Sequence, residues 1–81
     1  MKARVFVSFK KTVLDPQGQT IRSALVGRGY GAIQDVRQGK VFDIELAPGT
    51  VRTDAEKQLD EIARDILANP VIEEYRVELL E

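Results

Sequence analysis

Apolar and polar positions alternate along residues 3–10. Ala3, Val5, Val7 and Phe9 fall on one face, and Arg4, Phe6, Ser8 and Lys10 on the other. A period of two marks a half-buried strand, with Phe6 breaking the polar side. From Pro16 to about Arg28 the period lengthens. Ile21, Ala24 and Leu25 at i, i+3 and i+4 predict a short amphipathic helix, held by packing more than by propensity. The stretch Val13–Ile21 is the corner between the two. Asp15 reads as an N-cap, with Pro16 at the first helical position, where a missing N–H costs nothing. Gly27, Gly29 and Gly31 close the helix, with Gly29 in the left-handed conformation. These glycines follow a helix, so they aim no helix N-terminus at an anion.

Residues 32–38 and 40–46 read as two strands joined at Gln38-Gly39, a tight turn in which glycine supplies positive φ. Phe42, Ile44 and Leu46 alternate cleanly with Val41, Asp43 and Glu45. Ile33 and Val36 stand three apart, which a bulge near Asp35 would reconcile. After a loop at Ala47–Thr50, Thr53-Asp54-Ala55-Glu56 has the form of a capping box. It opens the strongest helix, with Leu59, Ile62, Ala63, Ile66 and Leu67 on one stripe. A left-handed Asn69 followed by Pro70 would stop it. Val71, Tyr75, Val77 and Leu79 then alternate against Ile72, Glu74, Arg76 and Glu78 as a final strand. The order βαββαβ predicts an α+β fold: a ferredoxin-like α/β plait over residues 1–81 as a single domain. In that fold a four-stranded antiparallel sheet carries two helices on one face, with the first and last strands adjacent.

The open face of such a sheet should be polar if water covers it. Here it would present Phe6, Val41, Ile72 and Leu80, a mixture that points to cover by another chain. Size argues the same way. A chain of 81 residues has a thin core, and this one has no cysteine and no histidine. Disulfides, thiolate metal sites and His- or Cys-based catalysis are therefore excluded, and association with a partner is the remaining route to stability.

Charge sharpens the picture slightly. The net charge of −1 argues against nucleic acid as the main partner. Residues 1–40 carry +6 and residues 41–81 carry −7, so the halves either neutralise one another or steer a partner. No apolar run approaches the ~20 residues of a membrane span. Arg4, Ser8, Lys10 and Lys11 interrupt any signal-like N-terminus, and a cytoplasmic protein is expected.

No catalytic constellation emerges. Asp43 and Glu45 share a strand face and read as solvated residues. Asp54, Glu56, Asp60, Glu61 and Asp65 read as a polar helix face and a complement to the helix dipole. The plait's metallochaperone version needs a cysteine pair. Its RNA-binding version needs stacked aromatics, whereas Phe6 and Phe42 point to opposite faces. Its acylphosphatase-like version needs an arginine-bearing phosphate loop.

Two stretches are more specific: Lys11-Thr12-Val13-Leu14-Asp15-Pro16-Gln17-Gly18 and Leu67-Ala68-Asn69-Pro70-Val71-Ile72-Glu73-Glu74-Tyr75-Arg76-Val77. Both closely resemble the PurS family, and Asp35-Val36-Arg37-Gln38-Gly39-Lys40 between them resembles its central hairpin. The resemblance implies a small, non-catalytic subunit of phosphoribosylformylglycinamidine synthase. Such a subunit bridges an ATP-dependent ligase subunit (PurL) and a glutaminase subunit (PurQ) and supports ammonia transfer in de novo purine biosynthesis. It implies a homodimer or homotetramer with no cofactor of its own, since ATP, Mg and glutamine serve the partner subunits. Asp15, Gln17, Gly18, Arg37, Gly39, Lys40, Asn69 and Pro70 are the matching positions. Turns and caps explain most of them, but Gln17, Arg37 and Lys40 have no such duty and are the candidate partner contacts. The Ala47–Arg52 loop departs from the family pattern. The competing reading is a dimeric small-molecule-sensing regulatory domain, which lacks a ligand-cradling loop after the first strand.

Overall fold

A computed structural model describes residues 1–80. Its elements are β1 (Lys2–Phe9), α1 (Pro16–Gly27), β2 (Gly39–Glu45), α2 (Arg52–Ile62) with a π-helical last turn (Ala63–Leu67), and β3 (Glu73–Leu80). The alternation of β1 places it at the centre of the sheet. It pairs antiparallel with β2 through Lys2↔Glu45, Phe6↔Val41 and Ser8↔Gly39. On its other side it pairs antiparallel with β3 through Lys2↔Leu80, Arg4↔Glu78 and Phe9↔Glu73.

Among the described residues the sheet has three strands, in the order β2-β1-β3. First and last strands are adjacent, as the pattern predicts, but the fourth strand expected over residues 32–38 is absent. That segment forms no ladder. Two of its backbone donors go to side chains, Val36 N–H to Asp35 Oδ1 at 3.0 Å and Gln38 N–H to Asp15 Oδ2 at 2.7 Å, and Ile33 N–H closes a turn on Tyr30 O at 3.2 Å. Ile33 and Val36, three apart, are both half-buried, a spacing that strand alternation would put on opposite faces. No Gln38-Gly39 hairpin or bulge forms, and Gly39 does not take positive φ; among the described residues Gly29 and Gly49 do. Glycine is needed at 39 for space, because a Cβ there would lie 2.8 Å from the Val7 carbonyl oxygen.

One face of the sheet forms the core. Val5 and Val7 pack with Ala63 and Ala68, flanked by Phe42, Ile44, Leu67, Tyr75 and Val77. Ala3 packs with Ala55 and Leu59, flanked by Ile44, Leu46, Val77 and Leu79. The small residues on α2 let its backbone approach the β-branched surface of β1 closely. The wide final turn, closed by Ala68 N–H on Ala63 O at 2.8 Å, keeps both alanines on the sheet. It also turns Ile66 outward to 75% exposure, although the sequence pattern placed Ile66 on the apolar stripe.

Helix termini differ from expectation in two places. The cap of α2 is Val51, without a side-chain bond, so Thr53 lies inside the helix and makes no capping box. No described residue other than glycine has positive φ, so Asn69 is not left-handed. Its side chain instead accepts from Val71 N–H at 3.1 Å, which turns the chain toward β3. The end of α1 follows expectation. Gly29, at φ +99°, and Tyr30 bond back to Val26 and Leu25 as a Schellman motif.

The second helix expected on the sheet is elsewhere. Neither apolar cluster contains a residue of α1. α1 packs on the 30–38 segment, where Arg22 Nε donates to Gln34 O at 2.8 Å, and the two form an arm beside the sheet. The molecule is consequently long, 51 × 26 × 14 Å. Its radius of gyration is 16.2 Å, against about 12 Å for a compact chain of this length. No helix among the described residues is long and apolar enough to cross a membrane.

Candidate partner-docking site

The arm meets the sheet at one corner, and Asp15 holds that corner together. Asp15 is almost fully buried, at 3% exposure. One of its carboxylate oxygens accepts Gly18 N–H at 3.0 Å, capping α1; the other accepts Gln38 N–H at 2.7 Å, where the chain enters β2. These bonds, that from Gly18 first, hold the carboxyl below its usual range, because they favour the ionised form. Gly18 lies so close beneath the returning chain that a Cβ there would collide with the Val36 carbonyl oxygen.

Three chain segments converge here: the Asp15 corner, residues 36–40 and the 69–73 turn. Gln17 Oε1 accepts from the Gln38 side-chain amide. Lys40 Nζ stands 3.9 Å from Glu73 Oε2. The other Glu73 oxygen accepts Asn69 N–H at 2.8 Å, and Lys10 N–H donates to Ile72 O at 2.9 Å. A small cleft of about 90 Å³ opens between Gln17, Gln38, Lys40, Glu73 and Phe9. Its polar atoms are an exposed amide pair and a lysine–carboxylate pair, suited to binding a polar protein surface.

The structure therefore brings Gln17 and Lys40 to one cleft and places Arg37 outside it. Arg37 reaches back to the loop after β1, donating to Val13 O at 2.9 Å and Lys11 O at 2.7 Å. It lines a shallower hollow of about 280 Å³ with Lys11, Thr12 and Asp35. Arg37 thus has a structural duty that the sequence did not reveal, and so has Gln17 through Gln38. Gln38 and Glu73 were missed as members of the cleft. Gln38 looked like a turn residue, and nothing local to Glu73 announces that its carboxylate bonds Asn69 on one side and faces Lys40 on the other.

The four residues assigned to an oligomer face are not one patch. Phe6 and Val41 are direct cross-strand partners, and the Arg76 guanidinium lies over the Phe6 ring at 4.3 Å. Leu80 is at the far end of β3, opposite Lys2. Ile72 lies outside β3, in the turn before it. Around Phe6 the face carries paired charges: Arg4 with Asp43 at 2.8 Å, Lys2 with Glu45 at 3.7 Å and Arg76 with Glu78 at 3.6 Å. Part of the basic–acidic split is thus neutralised within the sheet.

Comparison with known proteins places this geometry. The profile of the PurS family, described as phosphoribosylformylglycinamidine (FGAM) synthase, matches residues 2–81. The chain is 40% identical over 80 residues to the phosphoribosylformylglycinamidine synthase subunit PurS of Bacillus subtilis, covering 99% of this chain and 93% of the relative. It is 42% identical over 76 residues to the PurS subunit of Mycobacterium leprae, covering 94% and 91%. The Bacillus subtilis PurS crystal structure superposes with a TM-score of 0.84 over 99% of this chain and 98% of that one. A chain in the structure of PurLQS from Thermotoga maritima, 29% identical, superposes with a TM-score of 0.86 over 98% and 95%. The likeness carried by the Asp15 corner and the Asn69-Pro70 turn thus extends along the chain, which belongs to the PurS family of phosphoribosylformylglycinamidine synthase subunits.

Proposed function

We propose that this chain is the non-catalytic small subunit of its phosphoribosylformylglycinamidine synthase. It bridges the ATP-dependent ligase subunit and the glutaminase subunit and supports passage of ammonia between them in de novo purine biosynthesis. The observation that carries this reading is the end-to-end likeness to a chain of the Thermotoga maritima PurLQS structure. The chemistry of the corner fits a docking role: its exposed amide pair and its lysine, held by the largely buried Glu73 carboxylate, are already satisfied, suited to contact more than to proton transfer. ATP, Mg and glutamine are used by the partner subunits, and this chain binds none of them. It acts in the cytoplasm as a homodimer or homotetramer, as one domain, with Gln17 and Lys40 at the partner contact and Arg37 holding the adjoining loop in place.

Reconstitution tests the reading. Ligase and glutaminase subunits are assayed for glutamine-dependent synthesis with and without this chain. Activity that requires the chain is the expected result, with no turnover by the chain alone. Full glutamine-dependent activity of the two large subunits without it would overturn the reading.

A further inference from the structure

Glu73 is an acidic residue with little access to water and two separate contacts. Its side chain is 12% exposed. One carboxylate oxygen accepts Asn69 N–H at 2.8 Å, and the other stands 3.9 Å from the Lys40 ammonium. The first contact needs no charge, since the oxygen of a neutral amide also accepts an N–H. The turn has further bonds besides. Glu73 N–H donates to Asn69 O at 2.7 Å, Val71 N–H to Asn69 Oδ1 at 3.1 Å, and Lys10 N–H to Ile72 O at 2.9 Å. A carboxylate withdrawn from water is costly unless charge and hydrogen bonds meet it. The negative charge at this position is therefore matched to Lys40 and not to the turn.

The two residues come from opposite edges of the sheet. Lys40 on β2 pairs with Val7 of β1, and Glu73 on β3 pairs with Phe9. Val7 and Phe9, two apart, share a face, so the ammonium and the carboxylate meet across the end of the central strand. Lys40 nevertheless keeps a side chain 63% exposed. At 3.9 Å the pair is an ion pair and not a hydrogen bond, which leaves the ammonium N–H donors open. A lysine loose in water loses much rotamer freedom when it is captured, and one already held loses less. We propose that Glu73 is a positioning residue of the docking site: it holds Lys40 at the cleft so that the ammonium meets an acceptor oxygen of a partner subunit. The proposal rests on the docking role given to the corner above. It also pairs Glu73 with Asp15. Asp15 fixes the chain at residue 38 and Glu73 fixes it at residue 40, so the segment that carries Lys40 is held from two sides.

A double-mutant cycle tests this. Capture of the ligase and glutaminase subunits is measured for the native chain, Glu73→Gln, Lys40→Met and the double variant. Glu73→Gln keeps an oxygen for Asn69 N–H and removes the charge. Each single variant should weaken capture about fivefold or more. The double variant should be no weaker than Lys40→Met alone, because Glu73 acts through Lys40. A merely structural role would not produce that non-additivity. Losses that multiply in the double variant would overturn the proposal, and so would native capture by Glu73→Gln. Native capture by Lys40→Met would overturn the docking role of the corner as well, whereas the bridging role is read separately by reconstitution without the chain. Competitive acetylation of the native chain needs no substitution. Lys40 should react about two- to fivefold more slowly than the exposed Lys11 and Lys57. Equal rates would show that Glu73 does not hold it and would overturn the proposal.

Discussion

The carboxylate of Asp15 accepts the backbone N–H of Gln38 at 2.7 Å, across 23 positions of chain, while it also caps its own helix through Gly18. Two anionic oxygens thus serve two segments. Asparagine, a good N-cap in most settings, has a single oxygen and an amide that would face one of these N–H groups. Asp15→Asn should therefore lower the melting temperature by about 4–8 °C, where an ordinary cap would tolerate it.

The same residue sets an acid limit. Its carboxyl is held low by the N–H of Gly18 and then that of Gln38, so its contribution is fully present above the unfolded carboxyl value. It is lost as pH falls through the lowered folded value. The difference in stability between the native chain and Asp15→Asn should be widest at neutral pH and should close as pH drops below about 4. Urea unfolding across pH checks this, and a gap independent of pH would contradict it.

Gly18 and Gly27 both lie in α1, and helix propensity alone would favour alanine at either. At Gly27 nothing lies within 4 Å of an added Cβ. Gly27→Ala should stabilise by about 0.4–1 kcal/mol. At Gly18 the added carbon would meet the Val36 carbonyl. Gly18→Ala should destabilise by about 1–3 kcal/mol. Opposite signs from the same substitution in one helix, read by denaturant midpoints, would verify the packing of residues 32–38 on α1.

Leu59 is fully buried where α2 meets β1. Leu59→Ala should cost about 2–5 kcal/mol, since the residues around it can collapse only partly. For a core this thin that is a large share of the total stability. The loss should appear in thermal melts of the isolated chain as well as in the assembled enzyme.

Gln17→Ala removes an exposed amide bonded to Gln38 and should leave the melting temperature within about 1–2 °C of native. Pull-down of the ligase and glutaminase subunits should nevertheless weaken. Unchanged capture and unchanged glutamine-dependent activity would make the corner structural only.

Phe6→Glu probes the opposite face of the sheet. With Arg76 over the ring and charged pairs on either side, that face is already polar. Light scattering should show the mass in solution unchanged by this substitution, and a fall in mass would place Phe6 on the association face.

Local order in this chain is largely legible from its residues. Alternation alone locates β1, β2 and most of β3. Asp15-Pro16 starts α1 and Gly29 ends it, because caps and left-handed turns are decided by a few neighbouring atoms. The apolar period finds α2, although its start shifted to Arg52 and its last turn widened. The family, too, is readable from the runs around Asp15 and Asn69.

Residues 32–38 and the placement of α1 were decided only in three dimensions. Ile33 and Val36 carry enough apolar character for a strand, but a strand exists only if its N–H and C=O groups find a ladder. Here Asp15, distant in sequence, takes the Gln38 N–H first. Likewise, the stripe Ile21, Ala24, Leu25 states that α1 must bury one face and does not state against what. With Gly18 beneath Val36 and Arg22 on Gln34, the helix is bound to the returning segment and carried off its own sheet. A hydrophobic pattern fixes which side of an element avoids water. Which surface covers it depends on contacts between segments far apart in the chain.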